Sequence, residues 1–132
     1  MNQTSQTDQT TILVGVTDIF FYTKVRDALM SKGYRIELAR TQQDIAEKAS
    51  ATSPSAVILT MNDETLNAFQ ALETLHADAR LKTLPILAFA NHEEVDTFNR
   101  ARALGATKIV SRNEFSARLK DLIEEIMLNG KG

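Results

Sequence analysis

Three polar residues of this sequence lie within two positions after short apolar runs and have side chains able to bind or react: Asp18, Thr60 and Arg112. A threonine hydroxyl attacks a substrate only when a neighbouring base activates it, and the sequence offers Thr60 no such base. The chain has no cysteine and two histidines, which excludes thiolate chemistry and most zinc sites. These residue types predict binding, with no enzymatic activity, no cofactor and no metal ion.

The segments that position these side chains alternate between short apolar runs and longer amphipathic stretches. The short runs are rich in β-branched residues, which predicts buried strands, and the stretches between them have the spacing of helices. Such alternation predicts an α/β fold with a doubly wound, five-stranded parallel sheet, because β-α-β units place parallel strands side by side under helices. The expected strands are residues 11–16, 34–39, 55–59, 86–89 and 108–110.

Helix ends and buried helix faces are also visible in the sequence. Gly33 and Gly105 follow the first and fourth expected helices, where a left-handed residue is commonly needed. Thr41 and Ser111 open segments with the form of capping boxes, which predicts that each begins a helix. The first and last helices are expected to bury Phe21, Val25, Ala28 and Leu29, and Phe115, Leu119, Leu122, Ile123 and Ile126, respectively.

Length, charge and the amino-terminal segment limit the classes of function. A chain of 132 residues supports one domain, and a net charge of −2 gives no basic surface for nucleic acid. Residues 1–10 are polar and lack an apolar stretch, so we predict a disordered tail there, with no signal peptide or membrane anchor. Residues 11–129 would form the domain. We interpret the protein as cytoplasmic.

Three segments resemble the receiver domains of response regulators, the phosphorylatable modules of bacterial two-component signalling. ILVGVT at 12–17 stands where receivers have an apolar strand that ends in two acidic residues. LPILAFA at 84–90 is similar to their proline-led fourth strand, and GATKIVSRN at 105–113 is similar to their fifth-strand motif. The resemblance covers residues 11–127 without a gap and implies the flavodoxin-like (βα)5 receiver fold.

The resemblance also implies that the residues which carry out phosphorylation are missing. Val16 and Thr17 stand at the acidic pair that holds Mg²⁺ in receivers, and Mg²⁺ prefers carboxylate oxygens. Thr60 stands at the aspartate that accepts the phosphoryl group. Without the carboxylate and the metal, the charge of a phosphoryl-transfer transition state has nothing to balance it. Phosphorylation at the usual position is therefore not expected.

Three further positions of the family's site also differ. Ala90 stands at the hydroxyl residue that hydrogen-bonds the phosphoryl group, and Ile109 stands at the aromatic residue whose rotation reports the switch. Arg112 stands at the lysine and keeps its positive charge, although its planar guanidinium is not equivalent to an ammonium. A complete hydrophobic framework around an emptied site is what the resemblance leads us to expect of a pseudo-receiver.

The predicted function is therefore a phosphorylation-independent receiver-like module that acts as a protein–protein adaptor in two-component-type regulation. A second hypothesis is a small-molecule sensor, with a crevice bounded by Val16, Thr60, Ala90 and Arg112. A third is a small flavodoxin-like enzyme or nucleotide binder. The third is disfavoured because residues 16–19, after the first strand, contain no glycine and no phosphate-binding motif.

The expected partner is another signalling protein, or a second copy that binds through the face between the fourth and fifth helices, as the resemblance implies. Lys108 stands where many dimerising receivers carry an acidic residue, so their salt bridges are not simply reproduced. The charged residues expected on this face are Glu94, Asp96, Arg100, Lys108, Arg112 and Arg118.

Several residues keep two interpretations at this stage. Asp18 either caps the first helix, which we favour, or directs a carboxylate into the pocket. Asp63 and Glu64 either pair with Arg112 or form a solvated acidic loop. Thr60 is either structural, which we favour, or the target of a serine/threonine kinase.

Overall fold

Five strands alternate with five helices along the chain in a computed structural model, which describes residues 10–62 and 66–131. Asp63, Glu64 and residues 1–9 of the expected tail lie outside the described residues. The strands are β1 (Thr11–Gly15), β2 (Arg35–Ala39), β3 (Ala56–Thr60), β4 (Ile86–Ala90) and β5 (Lys108–Ser111). The helices are α1 (Ile19–Met30), α2 (Gln42–Thr52), α3 (Ala68–Ala77), α4 (Val95–Ala103) and α5 (Arg112–Lys131).

The strands form one parallel sheet in the order β2-β1-β3-β4-β5. The order runs in opposite directions on the two sides of β1, which is the doubly wound arrangement, so the predicted fold class is confirmed. Thr10, which we had assigned to the tail, already joins the sheet, because its carbonyl accepts a hydrogen bond from the Arg35 amide at 2.7 Å.

Helices cover both faces of this sheet, and each face has its own core. Alternate residues of a strand point to opposite faces. Ile12 and Val14 of β1 therefore pack with α1 and α5, whereas Leu13 packs with the helices on the other face. All five residues expected in the buried stripe of α5 are buried, and in α1 Val25 and Leu29 are buried while Phe21 and Ala28 are partly buried.

The predicted helix ends are confirmed, with one correction. Gly33 and Gly105 have φ of +88° and +109°. The Thr41 and Ser111 hydroxyls accept hydrogen bonds from the amides three residues later, at 3.0 and 3.1 Å. In a full capping box the carboxylate would also accept from the backbone amide of the N-cap residue, and neither carboxylate does so. The carboxylate of Asp44 accepts from the Arg40 amide, and that of Glu114 accepts from the Arg118 guanidinium.

Candidate functional site

A small cavity of about 150 Å³ opens at the carboxyl ends of β1, β3 and β4. Parallel pairing brings these strand ends together, since Gly15 is in register with Leu59 and Thr60 is in register with Phe89. Paired residues point to the same face, so Thr60 and Phe89 both face α1 and α5. The cavity is lined by Val16, Asp18, Phe21, Thr60, Asn62, Phe89 and Arg112.

Thr60 contributes a hydroxyl to this cavity. The residue is only 6% exposed and is the one polar residue among those buried in the described chain. Its hydroxyl makes no hydrogen bond within the described residues. No side-chain polar atom there is both sealed from solvent and unpaired, so the hydroxyl keeps its access through the cavity. A buried hydroxyl without a protein partner is costly unless water or a ligand satisfies it.

Arg112 covers an aromatic cluster at the wall of the cavity. Its guanidinium carbon lies 4.8 Å from the ring centre of Phe21 and 5.5 Å from that of Phe89. Phe89 also stacks on Phe115, with ring centres 4.3 Å apart. Within the described residues Arg112 has no ion-pair partner. The guanidinium thus lies within cation–π distance of both rings, and no described carboxylate pairs with its N–H groups.

The aromatic partners of Arg112 were missed as site residues by sequence reasoning. Phe21 was assigned only to the core stripe of α1, and Phe89 only to the fourth strand. The sequence signal for Phe89 was its position at the end of a strand, immediately before Ala90. Its register with Thr60 is a tertiary property, so the pattern of the strand alone does not reveal that the two residues are neighbours.

Asp18 is the N-cap of α1, as we had favoured. Its Oδ1 accepts hydrogen bonds from the Phe20 and Phe21 amides at 3.0 and 3.2 Å. These bonds satisfy amides at the first turn that have no partner within the helix. The side chain also lines the cavity, so the capping role and the pocket role are both served by one carboxylate.

Ala90 and Ile109 belong to the opposite face of the sheet. Both are buried in the cluster that contains Leu59 and Ile45. Ala90 follows Phe89 in the strand, so its side chain is directed away from Thr60. The crevice that we expected between Val16, Thr60, Ala90 and Arg112 therefore needs correction: Phe89 and Asn62 line it in place of Ala90.

The receiver fold implies a Mg²⁺ ion near this cavity, and the described residues do not fit one. Val16 is apolar, Thr17 has no carboxylate, and the Oδ1 of Asp18 is engaged by two amides. Across residues 10–62 and 66–131, no three histidine, aspartate or glutamate side chains are grouped as metal ligands. Divalent cations of this kind need several oxygen ligands, usually including carboxylates.

Asn62, at the mouth of the cavity, connects it to the start of α4. Its Nδ2 donates to Glu94 Oε1 at 2.8 Å, and its Oδ1 accepts from the Asn91 amide at 2.9 Å. Thr97 Oγ1 donates to the same glutamate oxygen at 3.1 Å. Asn62 was not predicted as a site residue, because an isolated asparagine in a loop is usually only a turn residue.

Hydrogen bonds, first of all from Asn62 and then from Thr97, hold the pKa of Glu94 below its ordinary value. A depressed folded-state pKa means that these bonds stabilise the fold above the unfolded-state pKa and that this contribution is lost as the pH falls through the folded-state pKa. We expect Asn62→Ala to raise the pKa of Glu94 towards its ordinary value, measured by ¹³C NMR titration of its Cδ. Asn99→Ala, in α4, is the control and should leave the Glu94 titration unchanged. An unchanged Glu94 titration in Asn62→Ala would contradict the assignment of the lowered pKa to Asn62.

The face formed by α4, β5 and α5 carries a closed set of ion pairs. Arg118 contacts Glu114 at 2.8 Å and Glu125 at 2.5 Å, and Lys108 contacts the same Glu125 at 3.6 Å. Hydrogen bonds, first to Glu125 and then to Glu114, raise the pKa of Arg118 above its ordinary value. At Arg118 α5 also departs from helical geometry, with φ −127° and ψ 25°. Two of the four cations expected on the partner face, Lys108 and Arg118, are thus already paired within the chain.

Three of the other charged residues expected on this face have contacts of their own. The guanidinium carbon of Arg100 is 4.1 Å from the ring centre of Phe69, so it lies against α3. Arg112 lies over Phe21 of α1, and Glu94 binds Asn62. Asp96 is exposed on α4, and the use of this face by a partner stays a prediction.

The fold of this chain is similar to that of response-regulator receivers. A protein named as a response regulator in Chloroflexus aurantiacus superimposes with a TM-score of 0.84 at 16% identity, over 92% of this chain and 99% of that one. The chemotaxis response regulator CheY4 of Vibrio cholerae gives a TM-score of 0.80 at 19% identity, over 89% and 98%. NtrX of Brucella abortus gives 0.80 at 18% identity, over 93% of this chain but 28% of that longer chain.

Sequence comparison adds nothing to this structural likeness, because no protein-family model and no curated protein matches the chain. Identities of 16–19% show the fold alone. Among the described helices, none has the length and apolar composition that crossing a bilayer requires. The chain therefore has the receiver fold, and its function must be argued from its own residues.

Proposed function

We propose that this chain is a receiver-like signalling module that binds a partner protein without being phosphorylated at the usual position. The observation that carries the proposal is the environment of Thr60. It occupies the strand end where the resemblance places the acceptor aspartate, beside Val16 and an aromatic wall. The hydrophobic framework of a receiver is kept although the residues that phosphorylation needs are missing, which supports a binding role for the surface around the cavity.

Exposed apolar side chains at the start of α1 support a protein partner. Phe20 is 80% exposed and Ile19 is 46% exposed, directly after the cavity residue Asp18. Large aromatic residues at a surface commonly anchor protein–protein contacts. The partner that we propose is another signalling protein in two-component-type regulation. A second copy of this chain is the alternative partner, and a cytoplasmic location stays a prediction.

The size of the cavity disfavours the nucleotide-binding alternative. Pockets for drug-sized ligands and cofactors usually have volumes of roughly 300–1,000 Å³. The cavity beside Thr60 has about 150 Å³. We also propose no enzymatic role, because Thr60 has no base within hydrogen-bond distance among the described residues.

Incubation with acetyl phosphate and Mg²⁺ tests the proposal. We expect the intact mass to stay unchanged, because Thr60 is a poor nucleophile and the described residues do not fit the metal. The thermal midpoint should also stay unchanged with beryllofluoride and Mg²⁺, since a ligand that does not bind cannot stabilise the fold. Light scattering on the same sample should give the same molar mass with and without acetyl phosphate.

A receiver domain that has its acceptor aspartate, treated in parallel, is the positive control for labelling. A mass increase of one phosphoryl group per chain would contradict the proposal. Asp18→Asn and Asp63→Asn variants would then locate the acceptor, because Asp18 lines the cavity and Asp63 follows Thr60 by three positions in the sequence.

A further inference from the structure

The hydroxyl of Thr60 is free to bind water or a ligand within its cavity. Thr60 is nine-tenths buried, has no hydrogen-bond partner among the described residues and lines a cavity of about 150 Å³. Buried hydroxyls in folded proteins are nearly always satisfied by protein, water or ligand. A hydroxyl can donate to an acceptor placed in the cavity, so the site is suited to a ligand that carries oxygen acceptors.

Arg112 determines the charge of that ligand. Its guanidinium lies over Phe21 and Phe89 and has no ion pair within the described residues. The edge of a guanidinium presents parallel N–H donors that match the two oxygens of a carboxylate. Arg112 is exposed, but the rings exclude water from one side of the group, which lowers the local dielectric constant and strengthens a charge-assisted hydrogen bond.

The other polar groups of the cavity limit the ligand further. Asn62 is already engaged by Glu94 and by the Asn91 amide. Asp18 adds a negative charge to the same wall, although its exposed position allows solvent to screen it. Arg112 is one positive charge and Asp18 is one negative charge on the same wall, so each further negative charge on a ligand adds repulsion from Asp18. A monoanion is favoured for this reason.

Volume completes the description of the ligand. A water molecule takes about 30 Å³ of liquid, so the cavity accommodates on the order of five waters. A carboxylate with a short apolar chain fits this space, and the side chains of Val16, Phe21 and Phe89 provide apolar walls for that chain. A nucleotide or a phosphopeptide is too large to enter it.

We propose that this cavity binds a small monocarboxylate without a metal ion and without a covalent bond, held by Arg112 and by the hydroxyl of Thr60. The site does not depend on the proposed adaptor role. The two proposals can also fail separately. Covalent labelling tests whether the proposed adaptor is independent of phosphorylation, and reversible binding of acetate tests this site. The carboxylate of the ligand would accept from both groups, in the region where receivers place their own carboxylate.

The test is an NMR titration of the ¹⁵N-labelled full chain with sodium acetate, at constant ionic strength maintained with chloride. We expect saturable shifts of the Thr60 amide and the Arg112 side-chain Nε–H, with a Kd of about millimolar because so few ligand atoms make contact. Thr60→Val should weaken acetate binding about tenfold, as loss of one hydrogen bond to a charged group predicts. Thr60→Ser should retain it.

Arg112→Gln should remove the saturable shifts. Arg26→Gln is the matched control, because Arg26 also lies over an aromatic ring, that of Tyr22, but outside the cavity; it should bind acetate as the natural chain does. Shifts that do not saturate, or saturable shifts that persist unchanged in a folded Thr60→Val variant, would overturn the proposal. Tighter binding of phosphate than of acetate would overturn the preference for a monoanion.

Discussion

Phe115→Ala is expected to lower the free energy of unfolding by about 3–5 kcal/mol, the range for deletion of a fully buried phenylalanine. Phe115 is 1% exposed and lies at the centre of an aromatic cluster. Its ring centre is 4.3 Å from that of Phe89 and 5.6 Å from that of Phe21. Truncation would leave a cavity between α1, α5 and the sheet, because the two remaining rings, Phe21 and Phe89, cannot both shift to fill it.

Urea denaturation followed by circular dichroism measures this loss, provided that the slope against urea stays constant. Phe20→Ala is the matched control: it makes the same change in a helix, but at a side chain that is 80% exposed. Its effect should stay within about 0.5 kcal/mol. Equal losses in the two variants would show that the aromatic cluster does not carry the stability assigned to it.

The same substitution bears on the cavity beside Thr60. The Phe115 ring packs against the Phe89 ring, and Phe89 both lines the cavity and contacts the guanidinium of Arg112. In Phe115→Ala the Phe89 ring gains room to move, so the guanidinium loses part of its fixed orientation. Acetate binding should weaken in this variant even though Phe115 does not line the cavity.

Gly105→Ala is expected to destabilise the fold by about 2–3 kcal/mol, through backbone strain and a steric contact acting together. The φ of Gly105 is +109°, which residues with a Cβ adopt rarely and at a cost. An added Cβ would also lie 2.8 Å from Nδ1 of His76, closer than real Cβ atoms approach. His76 is exposed, so part of the contact is relieved if its ring turns away.

Gly33→Ala separates the two causes. Gly33 has a φ of +88°, and an added Cβ there would meet nothing within 4 Å. Its replacement should therefore cost only the strain, about 1–2 kcal/mol. In a His76→Ala background the cost of Gly105→Ala should fall towards that of Gly33→Ala, as a double-mutant cycle in urea would measure. An unchanged cost in that background would exclude His76 as a cause.

The framework of this fold depends little on the side chains at the strand ends. The residues that form the sheet core, such as Leu13 and Ile58, contact helices and neighbouring strands. Val16 and Thr60 place neutral side chains at the strand ends, and among the described residues no charged side chain is buried. The sheet therefore needs no buried ion pair at these positions to stay folded.

Much of the fold follows from local sequence. β1, β3 and β4 are short, largely apolar runs, and the buried stripe of α5 repeats with helical spacing, so periodicity alone predicts them. Gly33 and Gly105 mark helix ends because only their backbones readily adopt positive φ. Thr41, Ser111 and Asp18 cap helices through bonds to amides two or three residues away, which are local contacts. Such features depend on neighbours in the chain and can be inferred without the fold.

The sequence by itself determined the alternation of strands and helices, the helix caps and the absence of a carboxylate at Thr60. The tertiary structure decided which side chains meet at the strand ends. Register placed Phe89, and not Ala90, beside Thr60. Packing of α1 against α5 placed Arg112 on Phe21, and packing of α5 beside β5 placed Glu125 next to Lys108. The physical reason is that these contacts join residues far apart in the chain, whose approach depends on the pairing of strands and the packing of helices and not on local preference.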